Sequence, residues 1–554
     1  MRMRVALASC GVLAATLALS IPLRGAPAAP RFFDDDPIWR EADTEDASHV
    51  VPRRTSFAFD IVENLFLEPG EVTSPRRAMN LNTVDEVPDS SWFTNRLGHR
   101  PMSVEEVVRL HLNGGPADGP LTVVSARTDG RTPGFTVDDA KGVRWFIKFD
   151  RPGHKGMGTG SEVLVSRLMW ALGYHVPDYT VAHIRADRLV IGPDARIEPR
   201  GFHERPMRPL DVEKLLRRAD REPDGTYCIS ASRELPGTPL GPFRFLGTRP
   251  DDPNDVVPHE HRRELRALRV FSAWVNHVEL RAGNTLDTLV REDGRGVVRH
   301  HLLDFASTLG SAQSEMRPWW EGHEYMYEGG PVLKSAISFG FWVPAWRKLD
   351  VYESNAIGRM PALHEPFDPD AWKPGIPNAA MLHMRDDDAF WAARRVMAVT
   401  YAMIRAVVAT AHFTSARDAE FIGDSLIARR DAIGRAYLAR VNPLTDLSLS
   451  REGRLPFSNA AVTAGVAPAP RTYVAQWARF DNETGAVEAV GTTEGLDAQE
   501  APVALPTTPG AMLRVALAAR DGAHSSWAVP VHAYFRRTAE GDWRLVGFER
   551  QPAS

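Results

Sequence analysis

The sequence predicts an α+β protein of several domains, and three observations carry that expectation. Between Leu121 and Phe149, short apolar runs alternate with Gly- and Asp-bearing turns, as strands do. From His261 to Val441, apolar residues recur at helical spacing on either side of one hairpin. Beyond Leu455, period-two alternation returns, as at Leu513, Val515 and Leu517. The 554 residues, 43% hydrophobic and 25% charged, exclude a disordered chain, a fibrous repeat and a small disulfide scaffold. A net charge of −5 argues against nucleic acid as a partner, and two cysteines exclude a disulfide framework or a cysteine-rich metal cluster.

Residues 1–28 have the layout of a signal peptide: Arg2 and Arg4, an apolar run from Val5 to Leu23, then small residues at Ala26-Pro27-Ala28. The alternative is an uncleaved anchor, because the run is just long enough to span a bilayer. Leu7-Ala8-Ser9-Cys10 mimics a lipoprotein cleavage box, but the apolar stretch follows the cysteine rather than preceding it. The expectation is an exported chain, periplasmic or secreted, with Cys228 its one remaining cysteine and no multi-span membrane domain.

Residues 29–119 form a loop-rich N-terminal extension. Within it, Ser103 to Leu112 reads as a helix with Glu105 and Glu106 in its first turn, and Asn82 to Phe93 as an ordered, packed loop. Strands follow at Leu121–Ala126, Phe135–Val137 and Val143–Phe149. A helix then runs from Ser161, a capping residue, to Leu172, and Gly173 closes it. Helices are expected from His261 to His277, Ala389 to Ala411 and Arg417 to Val441. Between the first two lies a hairpin, Thr285–Val290 and Val297–Phe305, with its turn at Arg291–Gly294. The divisions fall at 120–245, 246–455 (mainly helical), a Pro/Ala linker over 456–470 and a β-domain over 471–554. The acidic runs at 34–36 and 386–388 read as solvated caps or linkers.

The central hairpin holds the chemistry. Glu279 stands five residues before Asn284, which leads into the first strand, and Asp304 ends the second. An acid to orient a hydroxyl, an asparagine for Mg²⁺ and an aspartate bridging metal to phosphates come in this order in phosphoryl transfer. Upstream, Lys148 and Phe146 share one face of a strand, and Glu162 lies on the helix that follows. A strand lysine paired with a helix glutamate holds the α- and β-phosphates in kinase-like folds. The Gly130–Gly134 turn precedes the lysine strand, where a phosphate-covering loop would belong.

These residues, Phe146-Ile147-Lys148-Phe149, Glu162, Asn276-His277-Val278-Glu279…Asn284 and Leu303-Asp304-Phe305-Ala306, resemble the protein-kinase-like superfamily in its atypical branches, the HipA-type and phosphatidylinositol kinases. The resemblance covers roughly residues 120–440. It implies a two-lobed core, with lobes at 120–245 and 246–455, that binds ATP and Mg²⁺. Lys148 would hold phosphates with Glu162 orienting it, and Gly130 and Gly134 would cover the nucleotide. Asn284 and Asp304 would hold the metal, and Glu279 would occupy the catalytic-base position. Two residues depart from the pattern: Glu279 replaces an aspartate, and Ala306 replaces the glycine after Asp304-Phe305.

The implied activity is an ATP- and Mg²⁺-dependent phosphotransferase, or a nucleotidyl transferase, acting on an envelope protein or a small molecule. The alternative is a catalytically inactive kinase-like scaffold of the cell envelope. His259, His261, His300 and His301 read as structural rather than metal-ligating, since each pair splits across two faces. Gly156 to Gly160 reads as a mobile loop or as a cover for a nucleotide at a helix N-terminus, although it lacks a P-loop ending.

Overall fold

Alternating apolar residues between 121 and 233 build a seven-stranded sheet, as a computed structural model of the chain shows. The structure describes residues 29–551 apart from Glu68, Glu71, 109–113, 128–131, 200–202, Ser314 and 521–523. The expected signal peptide with Cys10, residues 109–112 of the expected helix from Ser103 to Leu112, and Gly130 therefore lie outside the described residues. The strands are β1 (Leu121–Arg127), β2 (Gly134–Asp138), β3 (Arg144–Phe149), β4 (Tyr179–Arg185), β5 (Leu189–Ile197), β6 (Arg205–Pro206) and β7 (Thr226–Arg233). Their spatial order is β4-β7-β3-β2-β1-β5-β6, antiparallel except for β1 beside β5.

The first helices are α1 (Phe57–Phe66), α2 (Val104–Val108), α3 (Met157–Leu172) and α4 (Pro209–Leu216). One sheet face carries Phe135, Val137, Trp145, Ile147, Phe149 and Ile229, and buries them with Leu215 of α4. Each such side chain taken from water contributes about 1.5–3 kcal/mol. The pleat turns Phe146 and Lys148 to the opposite face, where Phe146 stays exposed.

The middle of the chain holds a second pleated unit, β8 (Thr238–Gly241), β9 (Thr285–Glu292) and β10 (Arg295–Leu302), in the order β10-β9-β8. It sits among α5 (Arg263–Val275), α6 (Gly329–Ile337), α7 (Ala379–Leu382), α8 (Asp386–Ala398), α9 (Tyr401–Ala409) and α10 (Ala416–Tyr437). The expected long helix over 389–411 is two helices. Val399 is extended, and the Thr400 hydroxyl accepts the Met403 N–H at 3.2 Å to start α9. The run at 386–388 is not solvated either. Asp387 and Asp388 are buried, and their carboxylates take the guanidinium groups of Arg263, Arg266 and Arg385 at 3.0–3.1 Å. Removing one member would strand a buried charge, at a cost of about 3–5 kcal/mol.

Five C-terminal strands form an antiparallel sheet in the order 487–495, 472–480, 512–520, 531–537, 543–549. Tyr473, Trp477, Leu513, Val515 and Leu517 of this sheet belong to the same apolar cluster as α5 and α8, and Ala464, Val466 and Ala467 pack against it. Phe32 of the N-terminal extension lies against Phe480 and Tyr534, with ring centroids 6.1 and 5.0 Å apart. The 82–93 segment is packed, with Trp92 stacked on His300 at 3.5 Å and Phe93 fully buried. Among the described residues, no helix is long and apolar enough to cross a membrane.

Candidate active site

The site starts from a helix that is buried almost all round. α3 buries Val163, Leu164, Val165, Leu168, Met169 and Leu172, and Gly173 closes it with φ 125°. It begins at Met157, four residues before the expected start, so Ser161 lies inside it and does not cap it. The cap is Asp150, just past β3. Its carboxylate accepts the N–H groups of Gly156 (2.7 Å), Gly158 (3.0 Å) and Thr159 (3.0 Å), and the Thr159 hydroxyl (2.6 Å). Gly156 to Gly160 is therefore filled by an internal carboxylate and does not cover a nucleotide phosphate. Burial still pushes the Asp150 carboxyl up, despite these four donors.

Glu162, fully buried on α3, needs partners for its charge. Its partners include the Lys148 ammonium of β3, the Ser230 hydroxyl of β7 at 2.7 Å and the Tyr179 hydroxyl. Ser230 is there because β7 pairs with β3 in a register that sets it directly opposite Lys148. Gly134, the first residue of β2, faces Lys148 from the other side, and a Cβ there would meet the Ile147 carbonyl at 2.6 Å. That close approach is why the position is glycine.

A second carboxylate for Lys148 comes from the hairpin. Register pairs Thr285 with Leu302, and the Leu303 N–H donates to the Asn284 carbonyl at 2.9 Å, so Asn284 and Asp304 emerge side by side. Asp304 has φ 58°, a left-handed conformation that aspartate tolerates and that marks functional positions. Its Oδ1 lies 3.1 Å from Lys148 Nζ, closing a Glu162–Lys148–Asp304 triad. The Asn284 amide donates to the Glu279 carbonyl at 2.7 Å and so pins the loop that carries the acid. The side chains of Glu279 and Asp304 are joined by Gln313, whose Nε2 is 3.3 Å from Glu279 Oε2 and 3.5 Å from Asp304 Oδ2. Arg281 stands 3.9 Å from the Glu279 carboxylate.

The structure thus brings together Lys148, Glu162, Glu279, Asn284 and Asp304, with Gly134 opposite Lys148. Ser230, Gln313 and Tyr179 belong to the same cluster and carry no sequence signal of their own. Burial, then Glu162 and Asp304, drives the Tyr179 phenol well above its usual range and keeps it a neutral donor. Three carboxylates meet two cations here, so one negative charge is left over. Asp304 Oδ2 and the Asn284 amide oxygen offer the oxygen donors that Mg²⁺ prefers, and the donor set fits that ion.

His259, His261, His300 and His301 are held by protein partners, His261 Nδ1 by Arg266 at 2.9 Å. His300 Nδ1 bonds Asp287 at 2.7 Å, His301 Nε2 meets the Thr288 hydroxyl at 3.1 Å, and His259 Nε2 bonds Asp255 at 2.7 Å. The tryptophans divide. Trp391 is buried in the core, whereas Trp319 is exposed and lines a cavity beside α10.

No model of a known protein family matches the chain, and no curated protein matches it. Among solved structures, a proinflammatory kinase of Helicobacter pylori, CtkA, aligns with 57% of this chain and 95% of its own length, at 10% identity and a TM-score of 0.30. A likeness that loose carries no argument about activity, which rests on this chain's own side chains.

Proposed function

We propose that this chain is an exported, ATP- and Mg²⁺-dependent phosphotransferase with a two-lobed, kinase-like core, acting on a hydroxyl of an envelope or extracellular substrate. The observation that carries the reading is the triad. Lys148 lies between Glu162 and Asp304, which stand 14 and 156 residues away in sequence, and such a lysine is the phosphate-holding device of phosphoryl transfer. Glu162, itself fixed by the Ser230 hydroxyl, holds the ammonium in place, so no ordering is needed when phosphates arrive. Asp304 and Asn284 would hold Mg²⁺, which supplies charge neutralisation on the transferred group. Glu279, at the more open end of the cluster, would accept the proton of the attacking hydroxyl.

A second reading, an inactive kinase-like scaffold, is favoured by one contact. The Gln313 amide spans Glu279 and Asp304, where an acceptor hydroxyl and a metal would need room. Thermal unfolding of the purified mature chain with ATP and Mg²⁺, beside Asp304→Ala, tests the nucleotide site. Ligand at 100 times its Kd adds about 2.7 kcal/mol. A stabilisation that needs Mg²⁺ and vanishes in Asp304→Ala supports binding, and phosphate transfer to an added acceptor then separates enzyme from scaffold. A folded chain with no shift refutes both the nucleotide site and the phosphotransferase.

A further inference from the structure

Behind the Glu279 loop, α10 borders a cavity of about 240 Å³ that the phosphotransferase reading does not use. Its walls include the apolar side chains Trp346, Trp372, Met360 and Leu363, and at other points of the lining the acids Glu321, Glu365 and Asp368. Two polar residues one helical turn apart on α10, Ser425 and Arg429, also line it. Both are more than nine-tenths buried, at 5% and 7% exposure. The Ser425 hydroxyl has no hydrogen-bond partner among the described residues. A buried orphan hydroxyl beside a cavity is a group awaiting a ligand or water.

Arg429 is the second observation. Its Nε donates to the carbonyls of Trp274 (2.9 Å) and Ala273 (3.2 Å), and its Nη2 to Ala273, at the C-terminus of α5. Its Nη1 has no hydrogen bond among the described residues, and no carboxylate there pairs with the guanidinium. The end of α5 supplies only about half a negative charge. Burial, and after it the charge of Arg317, pulls the Arg429 pKa down to about 9. Arg317 itself is already paired with Glu321 at 2.9 Å. The guanidinium lies 3.7 Å over the Phe367 ring, so a cation with no carboxylate partner among the described residues and one free hydroxyl border the cavity.

We propose that this cavity is a binding site for a small monocarboxylate with a flat apolar body, its carboxylate accepting from Arg429 Nη1 and the Ser425 hydroxyl and its body lying among Trp346, Trp372 and Met360. A single available cation matches one negative charge rather than a phosphate's two. The walls repel a fully polar anion, since desolvating it there finds too few donors. The site does not depend on nucleotide binding at Lys148.

Isothermal titration of the mature chain with indole-3-acetate and phenylacetate, beside the neutral indole-3-acetamide, tests the assignment. The expected result is binding of a carboxylate, with the amide at least about tenfold weaker, a 1.4 kcal/mol difference. Ser425→Ala weakens the carboxylate several-fold, and Lys148→Met leaves it unchanged. Ala428 is exposed and lines the cavity, so Ala428→Trp obstructs the space without disturbing buried packing, and abolishes binding. Arg429→Gln removes the charge, and the amide comparison stands even where that variant fails to fold. Equal affinity for acid and amide, undiminished binding to Ala428→Trp, or no heat with either carboxylate at millimolar concentration overturns the proposal.

Discussion

Lys148→Met probes the centre of the site through stability alone, with no ligand added. In the folded chain the side chains of Lys148, Glu162 and Asp304 are 12%, 1% and 13% exposed, so the ammonium neutralises two carboxylates largely out of water. Methionine keeps the length and the apolar stem but leaves both acids without their shared cation. Removing one partner of a buried pair costs about 3–5 kcal/mol. Glu162 keeps the Ser230 hydroxyl and Asp304 is the more open acid, which places the loss near the lower end, about 3 kcal/mol. Glu162→Gln then removes most of what makes the first change harmful. The double variant should therefore be more stable than the two single losses predict, by about 1–3 kcal/mol. Urea unfolding followed by the fluorescence of the 14 tryptophans measures all four proteins. An unchanged midpoint for Lys148→Met, or single losses that simply add, would refute the view that these charges form one buried unit.

Three further outcomes follow from the same geometry. Glu279→Gln keeps the shape of the loop and the Asn284 bond to its carbonyl, so nucleotide binding should persist while any phosphate transfer falls about 10²–10⁴-fold in a radiolabel assay. Burial holds the His277 imidazole down at about 4 against an ordinary 6.5, so the folded state favours its neutral form. Its contribution is complete above pH 6.5 and drains away as pH falls toward 4, a loss of about 3 kcal/mol. His277→Asn should flatten that part of the urea-midpoint profile, and an unchanged slope would rule out this source. Burial also pushes the Cys228 thiol up to about 12. The native chain should therefore resist iodoacetamide at pH 8 and react fully in urea; native labelling would contradict the packing of β7.

Much of the local organisation is legible in the residues alone. Period-two runs mark β1 to β3, helical spacing marks α3, α5 and α10, and the turn at Asp293-Gly294 marks the β9–β10 hairpin. Lys148, Glu162, Asn284 and Asp304 stand out because their elements and order are local facts. The misreadings have separate physical causes. Gly156 to Gly160 resembles a phosphate loop because backbone N–H groups at a helix start attract any anion, and the sequence does not say that Asp150 is the anion. Asp387 and Asp388 look like a solvated charge run because their neutralising partners, Arg263 and Arg266, lie more than a hundred residues away. The break at Thr400 turns on a single hydroxyl bond that leaves the apolar spacing intact.

By itself, the sequence determined the backbone of the strongly periodic segments and which face of them is apolar, since both follow from sterics and side-chain periodicity over a few residues. Only the tertiary structure decided who neutralises whom. It gave Ser230 to Glu162 through strand register, Gln313 to Glu279 and Asp304 through a loop return, and left Ser425 and Arg429 facing an open cavity. A charge takes as its partner whichever group packing delivers within about 4 Å, where burial makes the interaction strong, and distance along the chain says nothing about distance in space.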